Sequence, residues 1–413
     1  MNKATIADLS PTDLHDRRVL VRVDFNVPMA EGRVTDDSRI RAALPTIRRL
    51  HDAGAITVLV SHLGRPKGVD DALRLAPIAT HLAGLLGYPV RALNESVGPK
   101  VETAVDEAKP GDVLLLENIR FHPEEEKNDP EFALQLAGLA DLFVNDAFGT
   151  AHRAHASTAG VAQYLPAYAG LLMAAEVDAL GRALSAPERP VVAIIGGAKI
   201  SSKITVLEHL LPKVDALIVG GAMALTLQAA TGAQVGRSLV EPNYYDAAKR
   251  LAGQAQLAGK ALLVPGDYFC AGDIKAPAPT CLAVLSGNPP EAPDGVPVVA
   301  GVPADQMALD IGPAALAQIR QLLSTARTIV WNGPMGVFEN PAFAEGTRAV
   351  AQMCAEAADR GAVTIVGGGD SVAAVEQMGL ADRFTLVSTG GGATLEFLEG
   401  KTLPGVAVLR ERS

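Results

Sequence analysis

The chain has 413 residues and a net charge of −10, from 36 basic and 46 acidic side chains. It is 48% hydrophobic and only 20% charged, which excludes a disordered chain, and the acidic balance argues against nucleic acid or an anionic membrane as the main partner. A chain of this length exceeds the size at which one core stops growing, so two domains are expected.

The opening M-N-K-A-T-I-A-D-L-S has no apolar h-region, so no signal peptide is expected. Short apolar runs then recur as predicted strands at 19–23, 56–60, 113–116, 142–144, 191–195, 216–219, 261–264, 328–331, 363–366 and 384–387. The segments between them have helical periodicity. Ile40, Leu44, Ile47 and Leu50, for example, share one face of a helix. Strand-helix alternation of this kind specifies α/β architecture with parallel sheets covered by helices on both sides. The runs form two groups, before about Val144 and after about Val191. A helical stretch over 170–184 and a stiff A-P-E-R-P, with Pro187 and Pro190, separate them and mark the domain junction.

The weakly charged stretch 156–175 contains Ser157, Thr158, Gln163 and Pro166 and is not read as membrane-spanning. Cys270, Cys281 and Cys354 are odd in number and lack C-x-x-C spacing, as in a reduced cytoplasmic chain with buried thiols. Residues 276–302, rich in Pro, Ala, Gly and Val, read as a surface loop or as short irregular strands, without chemistry.

In the first half, predicted strands run into polar loops: R-V-D-F-N-V-P (22–28), S-H-L-G-R-P (61–66), E-N-I-R-F (117–121) and N-D-A-F-G-T-A-H-R-A-H (145–155). Ligands bind at the carboxyl ends of parallel strands, so these loops should converge on one crevice presenting Asp24, Asn26, His62, Arg65, Arg120, His152 and Arg153, with Arg39 on the following helix. Any one of these arginines, taken alone, is more often a surface solubiliser or an ion-pair partner. Their repetition at strand ends points to a small, multiply charged anion. Asp24 reads as a general base, as the holder of a substrate hydroxyl, or as a turn cap. His152-x-x-His155 lacks the further ligands of a metal site.

The second half supplies V-V-A-I-I-G-G-A-K-I-S-S-K (191–203). Here a buried-strand run and a double glycine lead to Lys199 and Lys203, expected four apart on one helical face. Two ammonium groups over a glycine turn suit a polyphosphate. No Walker A motif and no G-x-G-x-x-G occurs, which disfavours a P-loop and a nicotinamide-dependent dehydrogenase. W-N-G-P-M-G-V-F-E (331–339) and G-G-G-D-S (367–371) end two further strands, and Asp370 suits Mg²⁺. S-T-G-G-G (388–392) reads either as a simple strand-helix turn or as an anion-facing one. An anion crevice in one domain and a Mg-polyphosphate grip in the other describe phosphoryl transfer across a cleft. A carboxylate acceptor, already ionised at pH 7, needs only neutralisation and alignment, whereas a hydroxyl acceptor needs a base.

These motifs, with L-L-E-N-I-R-F-H-P-E-E-E, occur in the order seen in the phosphoglycerate kinase family, which the chain resembles over nearly its whole length. The resemblance implies two Rossmann-like domains joined by a hinge, with substrates on facing sides of the cleft: 1–169 for 3-phosphoglycerate, 170–187 as linker helix and hinge, and 188–394 for nucleotide. A C-terminal tail, 395–413, would pack back on the first domain. It implies reversible transfer from ATP to 3-phosphoglycerate, giving 1,3-bisphosphoglycerate and ADP in glycolysis, by a cytoplasmic monomer whose bound nucleotide carries Mg²⁺. Implied substrate contacts are Asp24, Phe25, Asn26, Arg39, His62, Leu63, Gly64, Arg65, Arg120 and Arg153. Implied nucleotide contacts are Gly197, Ala198, Lys203, Asn332, Pro334, Glu339, Gly368, Gly369, Asp370 and Ser371. Asp370 is the implied metal ligand, and Arg39 and Lys199 are implied to stabilise the transferring group. Ser202 stands where many members carry Asp, and 276–302 is longer than usual. A binding module that has lost catalysis is disfavoured by the presence of Arg39, Lys199 and Asp370 together.

Overall fold

The computed structural model describes residues 2–291 and 295–412, which divide into two compact units: 1–178 with 402–413, and 179–401. In the first unit the strands are β1 (Arg18–Arg22), the hairpin β2 (Met29–Ala30) and β3 (Arg33–Val34), β4 (Ile56–Val60), β5 (Arg91–Ala92), β6 (Val113–Leu115), β7 (Leu142–Asn145) and β8 (Ala167–Ala169). Apart from the hairpin they form one parallel sheet in the order β5-β6-β4-β1-β7-β8. β4 is buried along its whole length, as a parallel strand covered on both faces must be. The predicted helix forms over Ser38–Asp52 and buries Ile40, Leu44, Ile47 and Leu50 against this sheet.

The order reverses at β1: the chain moves outward through β4 to the edge strand β5, fills in β6 between them, then crosses to add β7 on the other side. A reversal of this kind opens a crevice beyond the carboxyl ends of the central strands.

The second unit contains β9 (Val191–Ile195), β10 (Ala216–Val219), β11 (Ala261–Leu263), β12 (Asp267–Ala271), β13 (Cys281–Val284), β14 (Val298–Ala300), β15 (Met307–Ile311), β16 (Thr328–Asn332), β17 (Val363–Gly367) and β18 (Leu386–Val387). Its main sheet is parallel in the order β11-β10-β9-β16-β17-β18, with the reversal between β9 and β16. A second sheet, β14-β13-β12-β15, carries two antiparallel pairings. Its strands β12 and β15 escaped the sequence reading. Within 276–302 lie β13 and β14, while residues 292–294 fall outside the described residues. Cys270 and Cys281 are register partners across β12 and β13, and all three thiols are buried and free.

The helix Leu171–Ser185 runs through the division between units. Asp146 anchors its start: one carboxylate oxygen accepts the backbone N–H groups of Leu172 at 2.9 Å and Met173 at 3.1 Å. Burial pushes this carboxyl up to about 7 against the pull of those donors. The returning tail begins at Thr402 rather than at 395, because the helix Gly392–Leu398 buries Ala393 and Leu398 in the second unit. From Leu403 onward the tail lies on the first unit, where Asn145 Nδ2 donates to the Gly405 carbonyl at 3.0 Å and Ala4 N to Arg410 at 2.8 Å.

Candidate active site

In the first unit the four polar loops follow β1, β4, β6 and β7, and side chains knit them into one surface. Arg39 donates from Nη1 to Asp24 Oδ2 at 3.2 Å and to the Asn26 carbonyl at 3.0 Å. Asn26 Oδ1 accepts the Gly64 N–H at 2.8 Å, and Arg120 Nη1 donates to the Gly64 carbonyl at 2.7 Å. Asp24 Oδ1 takes the Asn26 N–H at 3.3 Å, so both carboxylate oxygens are engaged. That pattern fits an orienting residue better than a general base. Arg153 Nε donates to His152 Nε2 at 3.2 Å, and Arg65 is exposed. The rings and branches of Phe25 and Leu63 belong to the core, which leaves their backbone as the part available to a ligand.

The electrostatics are one-sided. His62 is 2% exposed, and burial, followed by the charges of Arg22, Arg120, Arg153 and Arg39, holds its imidazole well below the usual histidine range. Burial also lowers Arg120 and Arg22, assisted in both by Arg153. Such a surface is short of negative charge, which a multiply charged anion supplies.

Sequence reasoning missed Arg22 and Asn118. Arg22 lies in the quoted R-V-D-F-N-V-P but is itself inside a strand. Asn118 ties its own loop to the connection after β4: its Oδ1 accepts from the N–H groups of Leu63 and Arg120, and its Nδ2 donates to the carbonyls of Leu63 and Leu73. The period of β1 and the polar residue after β6 were the only local signals for either.

The second unit gathers its glycine loops at the reversal between β9 and β16. Gly196 donates its N–H to the Asn332 carbonyl at 2.9 Å, Gly221 to Met335 at 3.1 Å, and Met223 to Gly197 at 3.0 Å. A Cβ on Gly196 would lie 2.1 Å from the Pro334 carbonyl oxygen, and one on Gly221, at φ +66°, would lie 2.4 Å from the Gly197 carbonyl oxygen. Only glycine permits this backbone stacking. Gly333 N donates to Ser371 Oγ at 2.6 Å, and Gly368, at φ +87°, packs on Asn332.

Lys199 and Lys203 do not share a helical face. Residues Ile200–Ser202 form a single 3-10 turn between them, with Lys199 as its N-cap and Lys203 leading into the helix Ile204–Leu210. Lys199 is exposed. Lys203 points inward and donates to the Gly196 carbonyl at 2.6 Å and to Asn332 Oδ1 at 2.9 Å. Burial pulls the Lys203 ammonium down to about 8, with Asp370 opposing that shift.

Beside these loops is a cavity of about 240 Å³ whose walls include Gly197, Ala198, Pro334, Glu339 and Asp370 from the predicted set. Its apolar side, from Leu225, Tyr268, Leu309, Met335 and Val337, was invisible to sequence reasoning, because these residues come from four separate segments. A charged rim and an apolar wall suit a nucleotide, with phosphates at the loops and the base in the cavity. Asp370 is exposed in the first turn of the helix Gly369–Gln377, and no group of three or more metal-ligating side chains occurs among the described residues.

Comparison with known proteins shows the family. The family model described as phosphoglycerate kinase matches residues 7–401. The chain belongs to the phosphoglycerate kinase family. It is an enzyme of phosphoryl transfer with a carboxyl group as acceptor, acting reversibly between ATP and 3-phosphoglycerate in glycolysis. Phosphoglycerate kinases of Moorella thermoacetica and Dictyoglomus turgidum are 57% and 54% identical to it, with all of each chain covered. The solved phosphoglycerate kinase of Coxiella burnetii superimposes with a TM-score of 0.84 at 41% identity, covering 98% of both chains. That of Pyrococcus horikoshii gives 0.82 at 32% identity, again covering 98% of both. Among the described residues no helix is long and apolar enough to cross a membrane.

Proposed function

We propose that the arginine-rich surface of the first unit binds 3-phosphoglycerate and that the glycine loops and cavity of the second bind ATP, the two ligands meeting for in-line transfer when the units close by a hinge motion. The observation that carries this reading is the contrast in polar partners. The first unit clusters Arg39, Arg120 and Arg153 around His62, whereas the second offers a glycine-lined cavity with one half-buried and one exposed lysine.

His62, Arg65, Arg120 and Arg153 hold the non-transferred phosphate, and Asp24 and Asn26 orient the glycerate. Lys203, Gly197, Ala198, Gly368, Gly369 and Ser371 cradle the nucleotide phosphates, while Asn332, Pro334 and Glu339 border the nucleoside. Asp370 fits Mg²⁺, because that ion takes one or two protein carboxylates and fills its remaining positions with phosphate oxygens and water. When bound, the ion neutralises phosphate charge. The acceptor carboxylate is already ionised, so no side chain has to remove a proton. Arg39 and Lys199 supply positive charge to the transferring group, and closure excludes water that would hydrolyse ATP. The protein works as a cytoplasmic monomer on small molecules.

The test is a coupled assay with 3-phosphoglycerate, ATP and Mg²⁺ on the wild type and Arg39→Ala. The expected loss in R39A is about 10²-fold or more in kcat with a smaller change in KM for ATP. Nucleotide binding without turnover in the wild type sinks the catalytic reading.

A further inference from the structure

Behind His62 lies a chain of buried polar groups that the assignments above leave unused. Arg22 ends β1 with 1% of its surface exposed. Its Nε donates to Ser157 Oγ at 2.8 Å, one terminal nitrogen donates to the Val23 carbonyl, and the other lies 3.2 Å from His62 Nδ1. Ser157 in turn gives its hydroxyl hydrogen to Glu125 Oε1 at 2.6 Å and its backbone N–H to Oε2 at 2.9 Å. Glu125 is fully buried.

The direction of each bond follows from elementary chemistry. A guanidinium has five N–H donors and no acceptor. The single hydroxyl hydrogen of Ser157 is committed to Glu125, so its oxygen accepts from Arg22. At the far end Arg22 again can only donate. His62 Nδ1 must therefore be the acceptor and carry no hydrogen, which places the hydrogen of the neutral ring on Nε2.

The competing arrangement has Nδ1 protonated and donating to Asp24. The Nδ1 to Oδ1 distance is 3.9 Å, too long for a hydrogen bond, and Asp24 is already engaged by Arg39 and the Asn26 N–H. Double protonation would set a cation beside Arg22, Arg39, Arg120 and Arg153, with the Asp24 carboxylate 3.9 Å away on the other side.

We propose that Arg22, braced by Ser157 and Glu125, is a positioning residue that locks His62 in its Nε2–H form, so that His62 meets an anionic substrate as a neutral hydrogen-bond donor. The other tautomer would turn a nitrogen lone pair toward a phosphate or carboxylate oxygen and repel it. The consequence for substrate rests on the assignment of His62 to the 3-phosphoglycerate site. The tautomer does not.

The experiment is long-range ¹H–¹⁵N correlation NMR on the full-length protein labelled at histidine ring nitrogens, without ligand at pH 7.5, with His62 assigned from the His62→Gln difference. The expected signature is an unprotonated Nδ1 and a protonated Nε2. A protonated Nδ1, alone or with Nε2, overturns the proposal.

Ser157→Ala tests the brace. It should move the His62 signals toward a tautomer mixture and raise KM for 3-phosphoglycerate about tenfold, with KM for ATP within twofold. Ser157→Cys, which keeps an atom at the γ position, should show the same shift if the alanine variant does not fold, and Ser157→Thr should restore the wild-type pattern. Unchanged His62 signals in both the alanine and cysteine variants overturn the relay. Addition of 3-phosphoglycerate should perturb the Nε2 signal. The lock without that perturbation overturns the substrate role alone.

Discussion

Lys203 donates its ammonium to Asn332 Oδ1 at 2.9 Å, from the far side of the strand reversal between β9 and β16. This bond joins the two central loops of the second unit and holds a positive charge in a place that disfavours it, since burial draws the amine down to about 8. A phosphate oxygen beside it should restore an ordinary lysine value.

Nucleotide binding at pH 8 is therefore expected to take up a proton. Calorimetric titration with ADP, in two buffers of different ionisation enthalpy, should show uptake of about half a proton per site, abolished in Lys203→Met. Proton release, or no change, would contradict the placement of Lys203 on the phosphates. Lys203→Ala should weaken ADP binding about tenfold or more, whereas Lys199→Ala, at an exposed position, should lower kcat about 10²-fold with modest change in affinity.

Two glycines of the second unit make a controlled pair. Gly196→Ala drives a methyl to 2.1 Å from a carbonyl oxygen, while Gly253→Ala, in the helix Tyr245–Leu257, enters open space. Equilibrium dialysis with ADP should find affinity lowered at least tenfold in G196A and changed less than threefold in G253A. Equal losses would mean that something other than backbone stacking shapes these loops.

The returning tail stabilises the first unit. Leu403, Val406 and Leu409 are each at most 3% exposed, and burying side chains of this size contributes roughly 1.5–3 kcal/mol apiece as an upper estimate. Together they rival the whole stability of an ordinary domain. Truncation after Lys401 should bring an early unfolding transition into the calorimetric scan and remove 3-phosphoglycerate binding; a scan identical to that of the full chain would refute this.

Acid should weaken the first unit through His155. Burial, together with Arg120, Arg22, Arg153 and His152, pulls this ring down to about 4, with Glu125 at 3.7 Å on the other side. In the unfolded chain it titrates near 6.5. Between those values the unfolded chain holds more protons, so the native contribution is complete above pH 6.5 and is lost as pH falls toward 4. Urea melts at pH 7.5 and 5 should show the wild type losing more stability than His155→Gln, by on the order of 1–2 kcal/mol.

Much of the candidate site is legible in local sequence. A parallel strand is buried on both faces, so it shows as an unbroken apolar run, and the polar residues after it must stand at its carboxyl end. Asp24, His62, Arg120 and Arg153 were found in this way, as were the loops around Gly196, Asn332 and Gly368. The strands β12 and β15 were missed because a short mixed sheet leaves no comparable run. Lys199 and Lys203 were misplaced because one 3-10 turn separates them, and helical spacing does not carry through it.

By itself the sequence determined the α/β class, the two groups of strands and the residue types suited to phosphate, because these depend on local period and local chemistry. Only the tertiary structure decided which lysine turns inward, that Arg22 lies behind His62, and which apolar side chains wall the cavity. Burial and hydrogen-bond direction arise when distant segments pack together, and no local stretch of chain contains that information.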